Sequence, residues 1–328
     1  MIEQQLGRGV ASWYPGATGV AGAVRLSGGA SQETWSFDIV HPDGNIGAIL
    51  RRAPPGYGAS PTRAAGLDAE ARLMQLAHDA GLPSPSVLHV LTPQDELGTG
   101  FVMARIEGET IPRKILRDEE FAQARPKLAR QLGEVVAGIH GLDLTQLPDL
   151  RRMTATKEIA DLDREYRSFG WPRPVFELAL CWLRERDPGP SDEVTLVHGD
   201  FRHGNLIIGP DGVRAVLDWE LAHIGDPMED LGWICVNSWR FGEIDKPVGG
   251  FGTREELFAG YEAAGRRVDP ARVKFWEVMG TLRWGVMCCG MMQRFRIGPE
   301  HSVERAMIGR RSSETEIDLL RLLSPRGS

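Results

Sequence analysis

Three oxygen-bearing side chains stand at positions where short apolar segments end. Residues 196–220 read LVHGDFRHGNLIIGPDGVRAVLDWE, and the three side chains are Asp200, Asn205 and Asp218. The GPDG turn predicts a hairpin that returns Asp218 beside the other two. Carboxylate and amide oxygens are the hard ligands that Mg²⁺ accepts together with phosphate oxygens. The spacing therefore predicts a magnesium site that serves a phosphorylated ligand.

Two side chains of this stretch, Asp200 and His198, also have an ordinary structural interpretation. An isolated Asp200 would more often be a turn or capping residue than a functional one. Nearby His198 is expected to position the loop through its ring nitrogens rather than to transfer a proton. The functional interpretation gains its weight from the three residues taken together at this spacing.

The elements before this stretch predict a small antiparallel sheet with one helix. Alternating apolar residues within 24–52 indicate three strands, the last two joined by an Asp-Gly turn. The segments SVLHVL and TGFVMAR indicate two further strands, and the apolar face of residues 67–80 indicates a helix. The pattern breaks near residue 106, which predicts a domain boundary there.

The remainder of the chain is predicted to be mainly helical. An apolar stripe over 128–139 indicates one helix. A shorter helix is predicted to start at DPMEDLGW, with Asp226 as its N-cap and Glu229 as the capping-box partner. The other predicted helices cover 155–169, 173–187, 253–265, 270–296 and 301–323.

Length, charge and cysteine content limit the classes of protein to which this chain could belong. A chain of 328 residues exceeds the size at which one core usually keeps growing, so we expect one bilobal unit or two domains. The net charge of −7 makes nucleic acid a poor candidate for a binding partner. The four cysteines have neither zinc-site nor disulfide-framework spacing, which favours a reducing cytoplasm. The start MIEQQLGRGV gives no export signal, and Glu277 and Arg283 interrupt the most apolar late segment. We therefore expect no membrane partner.

The motif HGDFRHGN followed by LDWE resembles the catalytic and metal-binding loops of the aminoglycoside phosphotransferase-like family, which has the protein kinase-like fold. A kinase-like catalytic loop reads H-x-D-x-x-x-x-N and is followed by a metal-binding Asp. His198, Asp200, Asn205 and Asp218 match this pattern in order. The segments LRRAPP and DWE are similar to a subgroup that includes kinase modules associated with acyl-CoA dehydrogenases.

The resemblance implies an α+β, bilobal fold. Residues 1–106 would form a small antiparallel-sheet lobe with one helix, which binds the nucleotide phosphates. Residues 107–328 would form a larger, mainly helical lobe with the catalytic loop, the metal site and the acceptor pocket. Asp200 would be the base or orienter for the acceptor hydroxyl, and Asn205 and Asp218 would hold Mg²⁺ on the phosphates of ATP.

The resemblance also implies how the nucleotide is bound. Arg51, where the family commonly has Lys, would contact the phosphates with Glu70 as its ion-pair partner, although Arg52 could take this role. Met103, Ala104 and Ile106 would line the adenine site. The glycine-rich hairpin that approaches the phosphates would contribute Ser27, Gly28, Gly29 and Ser31.

A short spacing limits the type of acceptor. Only five residues separate Glu220 from Asp226, which leaves no room for an activation loop that presents a protein substrate. The implied function is an ATP- and Mg²⁺-dependent kinase of a small-molecule hydroxyl, first a hydroxyacyl-CoA or related hydroxy acid. The alternatives are an aminoglycoside or other antibiotic kinase, a non-catalytic nucleotide-binding regulator and a metal-dependent phosphohydrolase. ATP versus GTP and the oligomeric state stay open.

Overall fold

The computed structural model describes residues 2–26, 32–53, 64–298 and 302–324. The chain divides into two compact units. The first unit comprises Met1–Thr110, Leu142–Arg151 and Asn205–Ala222. The second unit comprises Ile111–Gly141, Arg152–Gly204 and His223–Ser328.

The N-terminal part of the first unit is an antiparallel sheet with two helices. Its elements are α1 (Ile2–Trp13), β1 (Gly19–Leu26), β2 (Glu33–Val40), β3 (Ile46–Ala53), α2 (Leu67–Asp79), β4 (Val87–Val90) and β5 (Thr99–Ala104). The sheet order is β1-β2-β3-β5-β4, with antiparallel pairing throughout. The five predicted strands and the helix are confirmed, whereas α1 was not predicted. Helix α1 belongs to the core because Leu6 and Val10 pack with Phe37 and Leu50.

Helices dominate the next part of the chain, which belongs mostly to the second unit. The elements are α3 (Pro112–Arg117), α4 (Arg125–His140), α5 (Ala155–Ser168), α6 (Pro174–Glu185) and β6 (Thr195–Val197). The predicted apolar stripe of α4 is confirmed, since Leu128, Leu132, Val136 and Ile139 are all buried. Gly133 lets α4 and a later helix approach closely, because a Cβ at this position would overlap the backbone of Leu257.

The predicted hairpin returns the chain to the first unit. Its strands are β7 (Leu206–Gly209) and β8 (Gly212–Val216), which pair antiparallel. The backbones of Glu109 and Ile208 exchange two hydrogen bonds of 2.9 and 3.0 Å, which attach this hairpin to the rest of the unit.

The last part of the chain completes the second unit. Its elements are β9 (His223–Gly225), α7 (Met228–Ile234), α8 (Arg254–Ala263), α9 (Pro270–Ile297), α10 (Val303–Gly309) and α11 (Ser312–Leu323). Strand β9 pairs antiparallel with β6. The prediction of one helix over 301–323 is wrong, because a turn at Arg310 and Arg311 separates α10 from α11.

The predicted capping box at the start of α7 is also wrong. The N-cap is Pro227, and Asp226 Oδ1 accepts from the Met228 amide at 3.0 Å. The Glu229 carboxylate contacts His223 and Arg283 instead of its own helix end. These two side chains hold the carboxylate more strongly than the helix end would, because the carboxylate is buried and its partners are cationic or polar.

The predicted α+β fold class is confirmed by the antiparallel sheet of the first unit and the helices of the second. None of the helices in the described ranges combines the length and the apolar character needed to cross a membrane.

Candidate active site

Three carboxylates surround Arg51 in the first unit. Arg51 Nε lies 3.1 Å from Glu70 Oε2, and Nη2 lies 2.6 Å from Asp218 Oδ1 and 3.7 Å from Glu220 Oε2. Strand β3 supplies Arg51, the buried face of α2 supplies Glu70, and the segment after β8 supplies the other two. With all four groups ionised, the cluster carries excess negative charge, which favours an additional cation.

The charges in this cluster shift one another's pKa values. Burial, the largest cause, acts together with the charges of Asp218 and Glu220 to raise the pKa of Glu70 to about 8, against the opposing effect of Arg51. Burial opposes the charge of Arg51, yet the three carboxylates raise the pKa of its guanidinium above the ordinary value. Glu70 therefore takes up a proton more readily than an ordinary glutamate.

Arg52 does not join this cluster. Its Nη2 and Nε atoms donate to Glu33 Oε2 at 2.8 and 3.0 Å, and its Nη1 atom donates to the Leu97 carbonyl at 3.0 Å. Consecutive residues of a strand point to opposite faces of the sheet, so Arg51 and Arg52 cannot serve the same site. The geometry favours Arg51 over Arg52 as the cation near Asp218.

The hairpin brings Asn205 and Asp218 to one end of β7 and β8. The Leu217 amide donates to the Asn205 carbonyl at 2.8 Å, so the two residues flank the same backbone hydrogen bond. Asp218 has φ 66°, a left-handed conformation that is uncommon for a residue with a side chain and occurs at functional sites. Their amide and carboxylate oxygens fit a Mg²⁺ ion that takes its other ligands from phosphate and water.

The predicted adenine-binding segment continues from β5. Met103 is buried and pairs with Ile49 of β3. The Ala104 amide donates to the Ser86 carbonyl at 2.9 Å, whereas the Ile106 backbone makes no hydrogen bond within the described ranges. The predicted glycine-rich hairpin residues Ser27, Gly28, Gly29 and Ser31 lie outside the described residues.

In the second unit, Asp230 fixes the loop that follows β6. Its Oδ2 and Oδ1 atoms accept from the backbone amides of His198 and Gly199 at 2.7 and 2.9 Å. Its Oδ2 atom also lies 3.1 Å from His140 Nε2. The His198 Nδ1 atom is 3.2 Å from the Asp200 amide, which gives this ring a positioning contact inside the loop.

The Asp200 carboxylate is held by two side chains of the same unit. Trp233 Nε1 donates to Asp200 Oδ1 at 2.9 Å. Arg202 Nε lies 3.0 and 3.2 Å from the two carboxylate oxygens. Asp200 is nearly buried, so these contacts fix the direction in which its oxygens point.

A buried ionic network supports Trp233. The guanidinium carbon of Arg283 lies 4.0 Å from the centre of the Trp233 ring, within the range of a cation–π contact. Arg283 also donates to Glu229 at 2.8 Å and to the Gly199 carbonyl at 3.0 Å. Although burial opposes ionisation, His223 and Arg283 lower the pKa of Glu229 to about 2, which keeps the network charged.

The two units thus hold different parts of the predicted set. Arg51, Glu70, Asn205 and Asp218 belong to the first unit, and His198 and Asp200 belong to the second. The sequence analysis assigned no role to Arg202, Trp233 or Arg283. Arg202 lies in the motif HGDFRHGN, two residues after Asp200, and Trp233 ends the segment DPMEDLGW. Both residues therefore belong to motifs that the sequence analysis had identified. Arg283 was noted only as a charge within an apolar segment, which did not reveal its partners.

This chain is similar to known proteins in sequence and in fold. A sequence profile described as the phosphotransferase enzyme family matches residues 22–276. Acyl-CoA dehydrogenase family member 10 of Mus musculus is 31% identical over 199 residues, which are 57% of this chain and 18% of that protein. The chain therefore aligns with less than a fifth of that relative's length.

Solved structures establish the fold independently. A Ralstonia eutropha JMP134 protein, provisionally assigned as an aminoglycoside phosphotransferase, superimposes with a TM-score of 0.76, 20% identity and 97% coverage of both chains. A thermostable mutant of aminoglycoside phosphotransferase APH(4)-Ia, in ternary complex with AMP-PNP and hygromycin B, gives a TM-score of 0.65, 19% identity and 99% coverage of both. These matches confirm the predicted fold.

Proposed function

This chain belongs to the phosphotransferase enzyme family, and on that premise we propose that it transfers the γ-phosphoryl group of ATP to a hydroxyl of a small molecule. The observation that carries the proposal is the ordered set His198, Asp200, Asn205 and Asp218 at the spacing of a kinase-like catalytic loop and metal-binding Asp. The AMP-PNP bound by the APH(4)-Ia relative supports the choice of nucleotide.

The reaction needs one proton acceptor near the attacking hydroxyl. The acceptor oxygen attacks the γ-phosphorus, and the bond from phosphorus to the β–γ bridging oxygen breaks with its electron pair leaving on ADP. We assign Asp200 to orient the hydroxyl and receive its proton. The hydrogen bond from Trp233 and the contact with Arg202 support this role, because they fix the carboxylate before the acceptor arrives.

We assign the phosphates of ATP to the acidic cluster and its arginine. Asn205 and Asp218 would hold Mg²⁺, which neutralises charge on the phosphate oxygens when it is bound. Arg51 would contact the phosphates, held in place by Glu70 at 3.1 Å. The backbone near Ala104 and Ile106 would meet the adenine beside Met103, and the phosphate hairpin would include Ser27, Gly28, Gly29 and Ser31.

For the acceptor we propose a hydroxyacyl-CoA or a related hydroxy acid. The name of the murine relative supports this class. A cavity of about 900 Å³ within the second unit supports it as well. Its wall contains the exposed apolar residues Ile111, Met307 and Ile317, which suit an acyl chain.

The charges of the cavity wall distinguish an anionic from a polycationic acceptor. The charged residues of the wall are Arg113, Arg310, Arg311, Arg321, Glu304, Glu314 and Asp318. Glu314 pairs with Arg311 and Asp318 with Arg321. The remaining charges are two arginines and one glutamate, which complement a carboxylate or phosphate better than an aminoglycoside.

We place the reaction in the cytoplasm. This location is supported by the four cysteines, all of which are free thiols.

A panel of acceptors tests the proposal. Purified protein is incubated with ATP and Mg²⁺ and separate pools of hydroxyacyl-CoA esters, free hydroxy acids and amino sugars, and products are identified by mass spectrometry. We expect a product heavier by one phosphoryl group in the first or second pool. A product from amino sugars alone would favour an antibiotic kinase, and ATP binding without product would favour a regulator. Phosphate release without a phosphorylated acceptor would favour a phosphohydrolase.

A further inference from the structure

A second cavity lies within the second unit, where the end of α9 meets the turn between α10 and α11. Its volume is about 330 Å³. The charged residues of its wall are Arg173, Arg296 and Arg310, and the described residues of the wall include no carboxylate. Met292 and Cys289 contribute apolar surface to the same wall. A concave surface with this lining favours an anionic ligand.

Two of the three arginines carry a charge that no acidic side chain balances. Arg173 pairs with Glu316 at 2.7 Å and donates to Ser312 Oγ at 2.8 Å. Neither Arg296 nor Arg310 forms an ion pair in the part of the chain that the structure describes, and both residues are exposed. The cavity therefore offers two uncompensated positive charges, which match the charge of a phosphate monoester at neutral pH.

Close packing keeps these two arginines at the same cavity. Arg296 belongs to the last turn of α9. Gly309 lets the turn that carries Arg310 approach α9, because a Cβ at this position would lie 2.9 Å from the Cβ of Met292. The two charges thus come from segments in direct contact, and a ligand between them does not have to bring them together.

Arg310 connects this cavity to the proposed acceptor cavity. It belongs to the wall of the cavity of about 900 Å³ and to the wall of the cavity of about 330 Å³. One ligand that extends across both would place its acyl part in the larger cavity and an anionic end in the smaller one. A hydroxyacyl-CoA has phosphates at the end remote from its acyl group, whereas a free hydroxy acid has no such end.

We propose that the smaller cavity binds a phosphate monoester, the 3′-phosphate of a CoA-ester acceptor, through Arg296 and Arg310. The inference rests on the proposed function and narrows its acceptor to the thioester. A guanidinium presents two parallel N–H donors to a phosphate, so each arginine contributes both charge and direction. No bond to this phosphate forms or breaks in the reaction, because its role is to anchor the acceptor.

A pair of ligands that differ by one phosphate tests the inference. CoA carries the 3′-phosphate and dephospho-CoA lacks it, and calorimetry measures the affinity of the full chain for each in the absence of ATP. Wild-type protein should bind CoA at least about tenfold more tightly, the worth of a hydrogen bond between charged groups. Arg296→Met should reduce this preference to within about threefold, and Arg296→Lys should retain part of it.

Arg294→Met is the matched control. Arg294 is exposed and lies in the last turn of α9, as Arg296 does, but it does not belong to the cavity wall. The control removes the same charge from the same helix and should keep the preference for CoA. Thermal unfolding of each variant verifies that the fold is intact.

Equal affinities of wild-type protein for the two coenzymes would overturn the inference and leave the proposed function standing. If Arg296→Met abolished binding of inorganic phosphate in that case, the cavity would hold a free phosphate ion and not the acceptor. An equal loss of preference in Arg294→Met would also overturn the inference, because a general charge effect would explain it. The assay requires no phosphoryl transfer, so absence of product from the acceptor panel would contradict the proposed function without removing this preference.

Discussion

Arg51 and Asp218 form an ion pair with an Nη2 to Oδ1 distance of 2.6 Å. The same guanidinium contacts Glu70 through Nε, so one side chain connects the strand, the helix and the proposed metal ligand. In the proposed function, Asp218 holds the metal and Arg51 contacts the phosphates. Binding of the nucleotide should therefore depend on Arg51 and should be insensitive to its neighbour Arg52.

Substitution of the two arginines tests this difference. Arg51→Met should raise the Kd for MgATP by about tenfold or more, because a charged contact to phosphate is lost. Arg52→Met should change the Kd by less than about threefold, since Arg52 contacts Glu33 and Leu97. Calorimetric titration measures both values. A larger effect from Arg52→Met, in protein that remains folded, would contradict the assignment.

The raised pKa of Glu70 makes stability depend on pH in a defined direction. Between pH 4.5 and about 8 the folded protein retains a proton on Glu70 that the unfolded chain has released. The free energy of unfolding contributed by Glu70 therefore falls as the pH rises through this window. Glu70→Gln removes this dependence and leaves Arg51 paired with Asp218.

When the pH is raised from about 5 to about 8, the free energy of unfolding of the wild type should fall by roughly 1–3 kcal/mol relative to that of Glu70→Gln. Urea denaturation at both pH values measures the change. Glu107→Gln, on an exposed carboxylate, is the control and should follow the wild type. Parallel curves for wild type and Glu70→Gln would show that Glu70 is ionised across the whole range.

Asp230 should prove essential for the conformation of the loop that carries His198 and Asp200. Its two oxygens accept from the amides of His198 and Gly199 and contact His140, all in a buried setting. In Asp230→Asn an NH₂ group replaces one carboxylate oxygen. This group cannot accept the hydrogen bond of the backbone amide that faces it. We expect a loss of about 2–3 kcal/mol in the free energy of unfolding. Asp211→Asn at the exposed hairpin turn should cost much less, and equal losses would contradict this account.

Trp233 should affect turnover more than nucleotide binding. Trp233→Phe keeps an aromatic ring under Arg283 and removes the N–H that donates to Asp200. We expect kcat to fall by about tenfold, with the Kd for MgATP unchanged. Steady-state kinetics with the acceptor found in the panel measures kcat, and Trp171→Phe is the control. A weaker MgATP affinity with an unchanged kcat would place Trp233 in the nucleotide site instead.

Local patterns in the sequence predicted much of the fold. The hairpin from Leu206 to Val216 follows from its alternation and its GPDG turn, and helix α2 follows from its apolar face. The motif that spans Asp200 and Asn205 supplied the resemblance because its residues are close in sequence. Such features are encoded within a few consecutive residues, so no tertiary information is needed to recognise them.

Features that depend on distant partners could not be predicted in this way. Glu229 has the spacing of a capping residue, but Arg283, 54 positions later, binds its carboxylate. The break between α10 and α11 follows Gly309, where a side chain would crowd Met292 of α9. Arg202 was overlooked because its contact with Trp239 depends on the folded arrangement.

The most direct test of the central claim is product formation by Asp200→Asn. The variant and wild-type protein are matched for MgATP affinity and thermal stability, then incubated with the acceptor identified in the panel, and phosphorylated product is quantified by mass spectrometry. The account predicts stoichiometric ADP and phosphorylated acceptor from wild type, and a loss of at least about a hundredfold in the variant. Wild-type turnover by folded Asp200→Asn would contradict the claim that this carboxylate receives the hydroxyl proton.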